Sequence, residues 1–207
     1  MFPGHIVCYP KGLLLMATVN VKLVGTSPLL MHNNQCVDPL NPWKKKIAAI
    51  TGKRKKTESD YLELYRLEFI SGLYISDEGP YIPSRCFRRC LIEGAKKDKN
   101  GTRFQSAISV ETDGQLQYEG PRDVKAMWET QEFHLTTVVG NQRNSIMRTR
   151  PKFDVWSCEF KLYYDSTSVN LQDIESALGH AEKVGICDGR AIEYGKFKAT
   201  VTSPVLV

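Results

Sequence analysis

The 207-residue chain carries 28 Lys and Arg against 23 Asp and Glu, a formal charge of +5, with 42% hydrophobic and 25% charged residues. That balance is too apolar for a disordered chain and fits one domain with a sizeable insertion, or two small ones. No stretch reaches the roughly 18 uninterrupted apolar residues of a membrane span, so no membrane partner is expected. The opening Met1–Cys8 lacks the basic start and apolar run of a secretory signal. The scattered Cys8, Cys36, Cys86, Cys90, Cys158 and Cys187 therefore read as reduced thiols in a cytoplasmic setting.

Residues 1–15 are a weakly patterned lead-in. From Met16 to Thr26, Ala17, Val19, Val21 and Leu23 alternate with polar residues, which predicts a strand with one buried face. Ser27-Pro28 ends it, and Leu29-Leu30-Met31-His32-Asn33 follows as a short hook. Asn34 to Lys56 is dense in bases and reads as an irregular, exposed loop. Thr57, answered by Asp60, predicts a capped helix to about Leu73 with Tyr61, Leu62, Tyr65, Phe69 and Leu73 inward. Asp77-Glu78-Gly79-Pro80 is a turn. Ser84 then caps a helix from Arg85 to Lys97, with Phe87, Leu91 and Ala95 inward, and Asp98-Lys99-Asn100-Gly101 closes it. Phe104 to Glu111 reads as a strand, and the glycine-broken stretch 112–152 holds one more, Phe133 to Val139. Phe153 to Tyr164 places Trp156, Cys158, Phe160, Leu162 and Tyr164 on one face of a strand. Asn170, answered by Asp173, caps a helix that Gly185 ends, and a loop leads to a last strand, Lys196 to Ser203. The order reduces to β-α-β-β-α-β. This is a single α+β domain with a ferredoxin-like or RRM-like core and two insertions, 27–83 and 112–152.

Lys44-Lys45-Lys46 and Lys53-Arg54-Lys55-Lys56 crowd seven cations into thirteen residues around Ile47-Ala48-Ala49-Ile50. Such density suits a phosphate backbone, where neutralised phosphates release condensed counterions; a solvated surface run is the plainer alternative. Arg85 and Arg89, four apart, share a helix face with Arg88 beside them, and further bases stand at Lys96, Lys97, Arg103, Arg143, Arg148, Arg150 and Lys152. Trp43, Phe104, Tyr118 and Trp128 lie among these bases, placed either to stack on unpaired bases or to fill the core. Cys86 and Cys90, and His32 with Cys36, lack the tight Cys-x-x-Cys knuckle of structural zinc sites. No metal or cofactor is expected, and the two helical cysteines read as small core residues. No Gly-x-Ser-x-Gly elbow, phosphate loop or His-Glu-x-x-His occurs, so no catalytic residue is assigned. His32, just before the basic run, is the one histidine placed to act as a base toward a ribose hydroxyl; a structural role is the alternative.

The Gly79-Pro80-Tyr81-Ile82-Pro83-Ser84 turn before a basic helix, and the Gly185/Gly189/Gly195 loop before the last strand, resemble the RAMP superfamily, the RRM-fold proteins of CRISPR effector complexes. Thr26–His32 and Gly189–Phe197 also resemble proteins encoded by phages and related mobile elements. The resemblance implies a non-catalytic backbone-type subunit in a bacterial cytoplasm. Such a subunit coats single-stranded RNA or DNA side by side with copies of itself and with other effector subunits. It implies nucleic-acid contacts at Lys44, Lys45, Lys46, Lys53, Arg54, Arg85, Arg88, Arg89 and Arg190, and a thumb-like hairpin in the 112–152 insertion. An endoribonuclease of the same superfamily using His32, and a phage protein-interaction or inhibitor factor, are the alternative readings.

Overall fold

In the computed structural model, residues 16–139 and 145–202 are described in full and 205–206 by their backbone. The lead-in 1–15, with His5 and Cys8, and Arg143 lie outside the described residues. β1 (Met16–Gly25) buries Ala17, Val19, Val21 and Leu23, as its alternation requires. β2 (Leu29–Leu30) follows the Ser27-Pro28 break.

The expected loop over 34–56 is instead partly helical, with α1 spanning Pro42–Thr51. Asn41 caps it by accepting from the Trp43 N–H at 2.9 Å, and Pro42 supplies a preset φ at the first helical position. Ile50, with Trp43 and Ile47, packs on Leu64 and Leu67 of α2 (Glu58–Gly72), which holds α1 in place. α2 starts at the expected Thr57–Asp60 capping box. Its inward face differs from the expected one. Leu64, Leu67, Glu68 and Phe69 are buried, whereas Tyr61 and Leu62 stand 46% and 57% exposed. The helix is turned so that Glu68 faces buried donors, a partner that helical periodicity cannot reveal.

β3 (Ile75–Ser76) and β4 (Gly79–Ile82) flank the expected turn. α3 (Ser84–Ala95) begins on Ser84 itself; Pro83 holds the cap position, and the Ser84 N–H donates to Asp113 Oδ1 at 2.7 Å. The first half of the expected strand 104–111 is helical: α4 (Gly101–Ala107) buries Phe104 and Ala107, three apart, and β5 (Ile108–Ser109) is the part that forms a strand. Phe104 is thus a core side chain. β6 (Gly114–Gln115), α5 (Val124–Glu129) and β7 (His134–Val139) follow. The expected strand 153–164 is divided between β8 (Ile146–Phe153) and β9 (Ser157–Asp165), because the chain turns at buried Trp156, whose Nε1 donates to Ser27 O at 2.9 Å. α6 (Leu171–Val184) opens on the Asn170–Asp173 capping box and stops at Gly185, where φ is 83°. β10 (Phe197–Val201) and β11 (Val205–Leu206) end the described chain.

The fold is α+β. The main sheet runs β10-β1-β9-β5, all antiparallel, with β11 extending along the start of β1. Residues of α3 and α6 share one core with the buried face of β1 and β9, and Phe87 stacks on Phe160 with ring centroids 4.1 Å apart. Each such fully buried side chain is worth about 1.5–3 kcal/mol. Gly94 permits α3 to touch α6, since a Cβ there would fall 2.1 Å from Ala177 O. Two smaller sheets, β2-β8-β7 and β3-β4-β6, lie beside this core. The β7–β8 arm is rooted in aromatic contacts: Tyr118 meets Phe133 and Phe153 edge-on, and half-buried Trp128 packs between Phe69 and His134.

Candidate nucleic-acid interface

The hook at 31–33 is pinned from several sides. The Met31 N–H donates to Pro151 O, the Asn33 N–H to Gly72 O, and the Asp188 N–H to Leu30 O, each at 3.0 Å, while Tyr74 Oη donates to His32 O at 2.9 Å. His32 therefore stands at a fixed junction of β8, the end of α2 and the 186–195 loop. Two clefts meet on it, one of about 810 Å³ toward α1 and α2, the other of about 360 Å³ toward α3 and the 186–195 loop.

The larger cleft has apolar walls, including Ile47, Leu64, Ile146 and Met147, with Lys44 and Lys56 among its cations. The smaller one is ringed by Arg85, Arg89 and Arg190 over Cys86 and Cys187. Arg85 lies over the Tyr74 ring at 5.3 Å. Among the described residues, none of Lys44, Lys56, Arg85, Arg89 and Arg190 forms an ion pair. The two carboxylates of the clefts are already engaged. Glu68 holds Arg148 at 2.7 Å, and Asp188 holds Arg150 at 2.9 Å, with the Arg150 side chain only 11% exposed. Arg148 and Arg150 are thus structural, while the first five cations line the clefts without an ion pair among the described residues, Glu93 being the carboxylate whose charge reaches Arg89 and Arg190.

The remaining expected contact residues do not all converge here. Lys45, Lys46 and Arg54 are exposed on α1 and just after it, with Lys46 over the Trp43 ring at 4.8 Å. Lys53 is paired with Asp60 at 2.5 Å. Arg88 turns away from Arg85 and Arg89 and donates to the backbone carbonyls of Gln105 and Ile108, tying α3 to α4. Lys56 belongs to the basic run that the sequence shows, whereas Tyr74, which also lines the smaller cleft, is not marked by any spacing in the sequence.

The 186–195 loop is closed at its neck. The Ile186 N–H donates to Gly195 O at 2.9 Å and the Gly195 N–H to Pro28 O at 2.8 Å. Gly195 adopts φ +68°, and a Cβ there would fall 2.1 Å from Ile186 O, so only glycine fits. This neck presents Arg190 to the cleft. His32 Nδ1 lies 3.8 Å from Asp188 Oδ2; burial first, then Arg150, holds its pKa below the usual range, against the opposing pull of Asp188. Among the described residues, no group of three or more His, Cys, Asp and Glu is arranged to hold a metal ion, and no helix is long and apolar enough to cross a membrane.

No family model and no curated protein matches the chain. Among solved structures 62 chains match. One belongs to the cryo-EM structure of the Type III-B Cmr-beta bound to cognate target RNA, with 12% identity and a TM-score of 0.52 over 94% of this chain. The chain spans 61% of the one it matches there. At that identity the likeness is one of fold.

Proposed function

We propose that this chain is a non-catalytic, RNA-binding, CRISPR-associated subunit of the RAMP type, which lays a single strand across the two joined clefts. The observation that carries the reading is the meeting of both clefts at His32, ringed by Lys44, Lys56, Arg85, Arg89 and Arg190, none of which forms an ion pair among the described residues. A polyphosphate strand supplies the missing countercharge. The element order and the strand order β10-β1-β9-β5 support a ferredoxin-like core, and the solved structure similar in fold is itself bound to target RNA.

The strand's path favours the clefts over the open face of the sheet. RRM domains stack bases on sheet aromatics. Here that face carries Asn20, Lys22 and Val24 of β1, with Lys22 paired to Glu159 at 3.2 Å, and its one strand aromatic among the described residues is Tyr163 of β9, where stacking platforms use several. The β7–β8 arm, with Val138, Ile146 and Met147 exposed, serves as the thumb toward a neighbouring copy. Lys45, Lys46, Lys53 and Arg54 extend the basic surface along α1 and beyond.

The test is fluorescence anisotropy with labelled single-stranded RNA of increasing length, beside DNA of equal sequence, at low and high salt. The expected result is tight binding at low salt that weakens with salt, prefers RNA, and adds copies as the RNA lengthens. No binding at low salt would end the proposal. A second reading rests on His32, held neutral beside Asp188 at the junction: an endoribonuclease with His32 as base. RNA cleavage that disappears in His32→Ala would select it over simple coating.

A further inference from the structure

We propose that Cys86 and Cys187 form a redox-active thiol pair, which peroxide converts into an intramolecular disulfide at the floor of the smaller basic cleft. The inference stands on the thiols' own geometry and does not depend on what the cleft binds.

The two cysteines come from distant elements, Cys86 from the first turn of α3 and Cys187 from the loop after α6, yet they line one cleft together with Arg85, Arg89 and Arg190, and each thiol shifts the titration of the other. Cys187 is held in the left-handed region at φ 62°, uncommon for a residue with a side chain. Its neighbours keep it there, with Ile186 tied to Gly195 and Asp188 tied to Leu30. Backbone strain of this kind persists where the surroundings over-determine it, and here its effect is to bring one sulfur to another.

The pair is chemically unequal. Interaction with the Cys187 thiol, then the guanidinium groups of Arg85, Arg190 and Arg89, hold the Cys86 thiol below its ordinary range. The same interaction, followed by burial, pushes Cys187 well above it. Cys86 is therefore the nucleophile and Cys187 the resolving thiol. Cys90, one turn further along α3, is the contrast: buried, its Sγ donating to Gly185 O at 3.5 Å, with burial pushing its thiol up to about 12. Cys158 is likewise pushed up to about 12 by burial.

The chemistry balances with hydrogen peroxide as the oxidant. The Cys86 thiolate attacks one peroxide oxygen; the O–O bond breaks, and the departing hydroxide takes up a proton to become water. The sulfenic acid left on Cys86 is attacked by the Cys187 sulfur as that thiol loses its proton. The S–S bond forms, the S–O bond breaks, and the second hydroxide takes the proton released. Two thiols lose two hydrogens, and one peroxide becomes two waters.

The experiment treats the full chain with hydrogen peroxide, alkylates it, and maps the cysteine peptides. The expected product is a Cys86–Cys187 linked peptide in a chain whose intact mass has fallen by two hydrogens, reversed by dithiothreitol. Cys90→Ser keeps the link, whereas Cys86→Ser and Cys187→Ser each lose it. Should a variant fail to fold, iodoacetamide labelling of the untreated wild-type chain against pH decides the question, with Cys86 reacting fastest and at lower pH than Cys90 or Cys158. Separately alkylatable Cys86 and Cys187 after peroxide, a crosslink between two chains instead, or a Cys86 that labels no faster than Cys90, would overturn the proposal.

Discussion

Replacing Glu68 with glutamine isolates the tie between α2 and the β7–β8 arm. Glu68 is buried, and its two oxygens accept from Arg148 Nη1 at 2.7 Å and from the Thr149 N–H at 2.9 Å. Glutamine keeps the shape but has one acceptor oxygen, so one of the two donors must face an amide NH₂. Thr149 is fully buried, and an unmatched N–H there costs about 1–3 kcal/mol, while a lost hydrogen bond to a charged group costs about 1.5–3 kcal/mol. The Arg148 side chain is 32% exposed, so its guanidinium regains water and the full penalty of an orphaned buried charge does not apply. The net expectation is a loss of about 3 kcal/mol. For a chain of this length each kcal/mol moves the melting point by about 2–4 °C, so Glu68→Gln should melt about 6–12 °C lower by circular dichroism at neutral pH. Adding Arg148→Met should cost less than the two single changes together, because the pair is lost only once. A melting point within about 2 °C of wild type, or strictly additive losses, would refute the view that Glu68 anchors the arm.

Removing Arg85, Arg89 and Arg190 together, each to alanine, should flatten the dependence of log affinity for single-stranded RNA on log salt by about 2, at about 0.7 per phosphate contact. An unchanged slope would place the strand elsewhere. Asp60→Asn tests the α2 cap: hydrogen bonds from Lys53 and Thr57 lower the Asp60 carboxyl from 3.8 to about 2. A depressed carboxyl stabilises the folded chain above its unfolded value and loses that contribution as pH falls through the folded one. The melting-point gap between wild type and Asp60→Asn should therefore be present at neutral pH and close between about pH 4 and pH 2; a gap that persists at pH 2 would contradict the assignment. Gly94→Ala forces a methyl toward Ala177 O, 2.1 Å from an ideal Cβ, and should lower the urea midpoint by the equivalent of about 1–3 kcal/mol. An unchanged midpoint would mean that α3 and α6 separate without cost.

Local chemistry was legible in most places where it is self-contained, the Asn41-Pro42 start of α1, read as loop, being the exception. The Thr57–Asp60 and Asn170–Asp173 capping boxes, the alternation of β1 and the glycine stop of α6 are written in residues at most a few positions apart, and each forms as read. Misreadings fall where a partner distant in sequence decides. The face of α2 follows Glu68, whose partners are 80 and 81 residues away. The segment 104–107 is helical because Phe104 and Ala107 are buried together, a spacing that alternation alone had suggested was extended.

The candidate site divides the same way. Its cations were visible as a list of residues, but charge in a sequence carries no direction. Only the packed chain separates Arg85 and Arg89, which face a cleft, from Arg88, spent on the carbonyls of Gln105 and Ile108, and from Arg148 and Arg150, paired with Glu68 and Asp188. By itself the sequence determined the elements whose caps and apolar periods are local, and the abundance of base. The tertiary structure alone decided which bases remain unpaired and that His32, Cys86 and Cys187 meet, because those outcomes depend on distances between segments that no short-range pattern encodes.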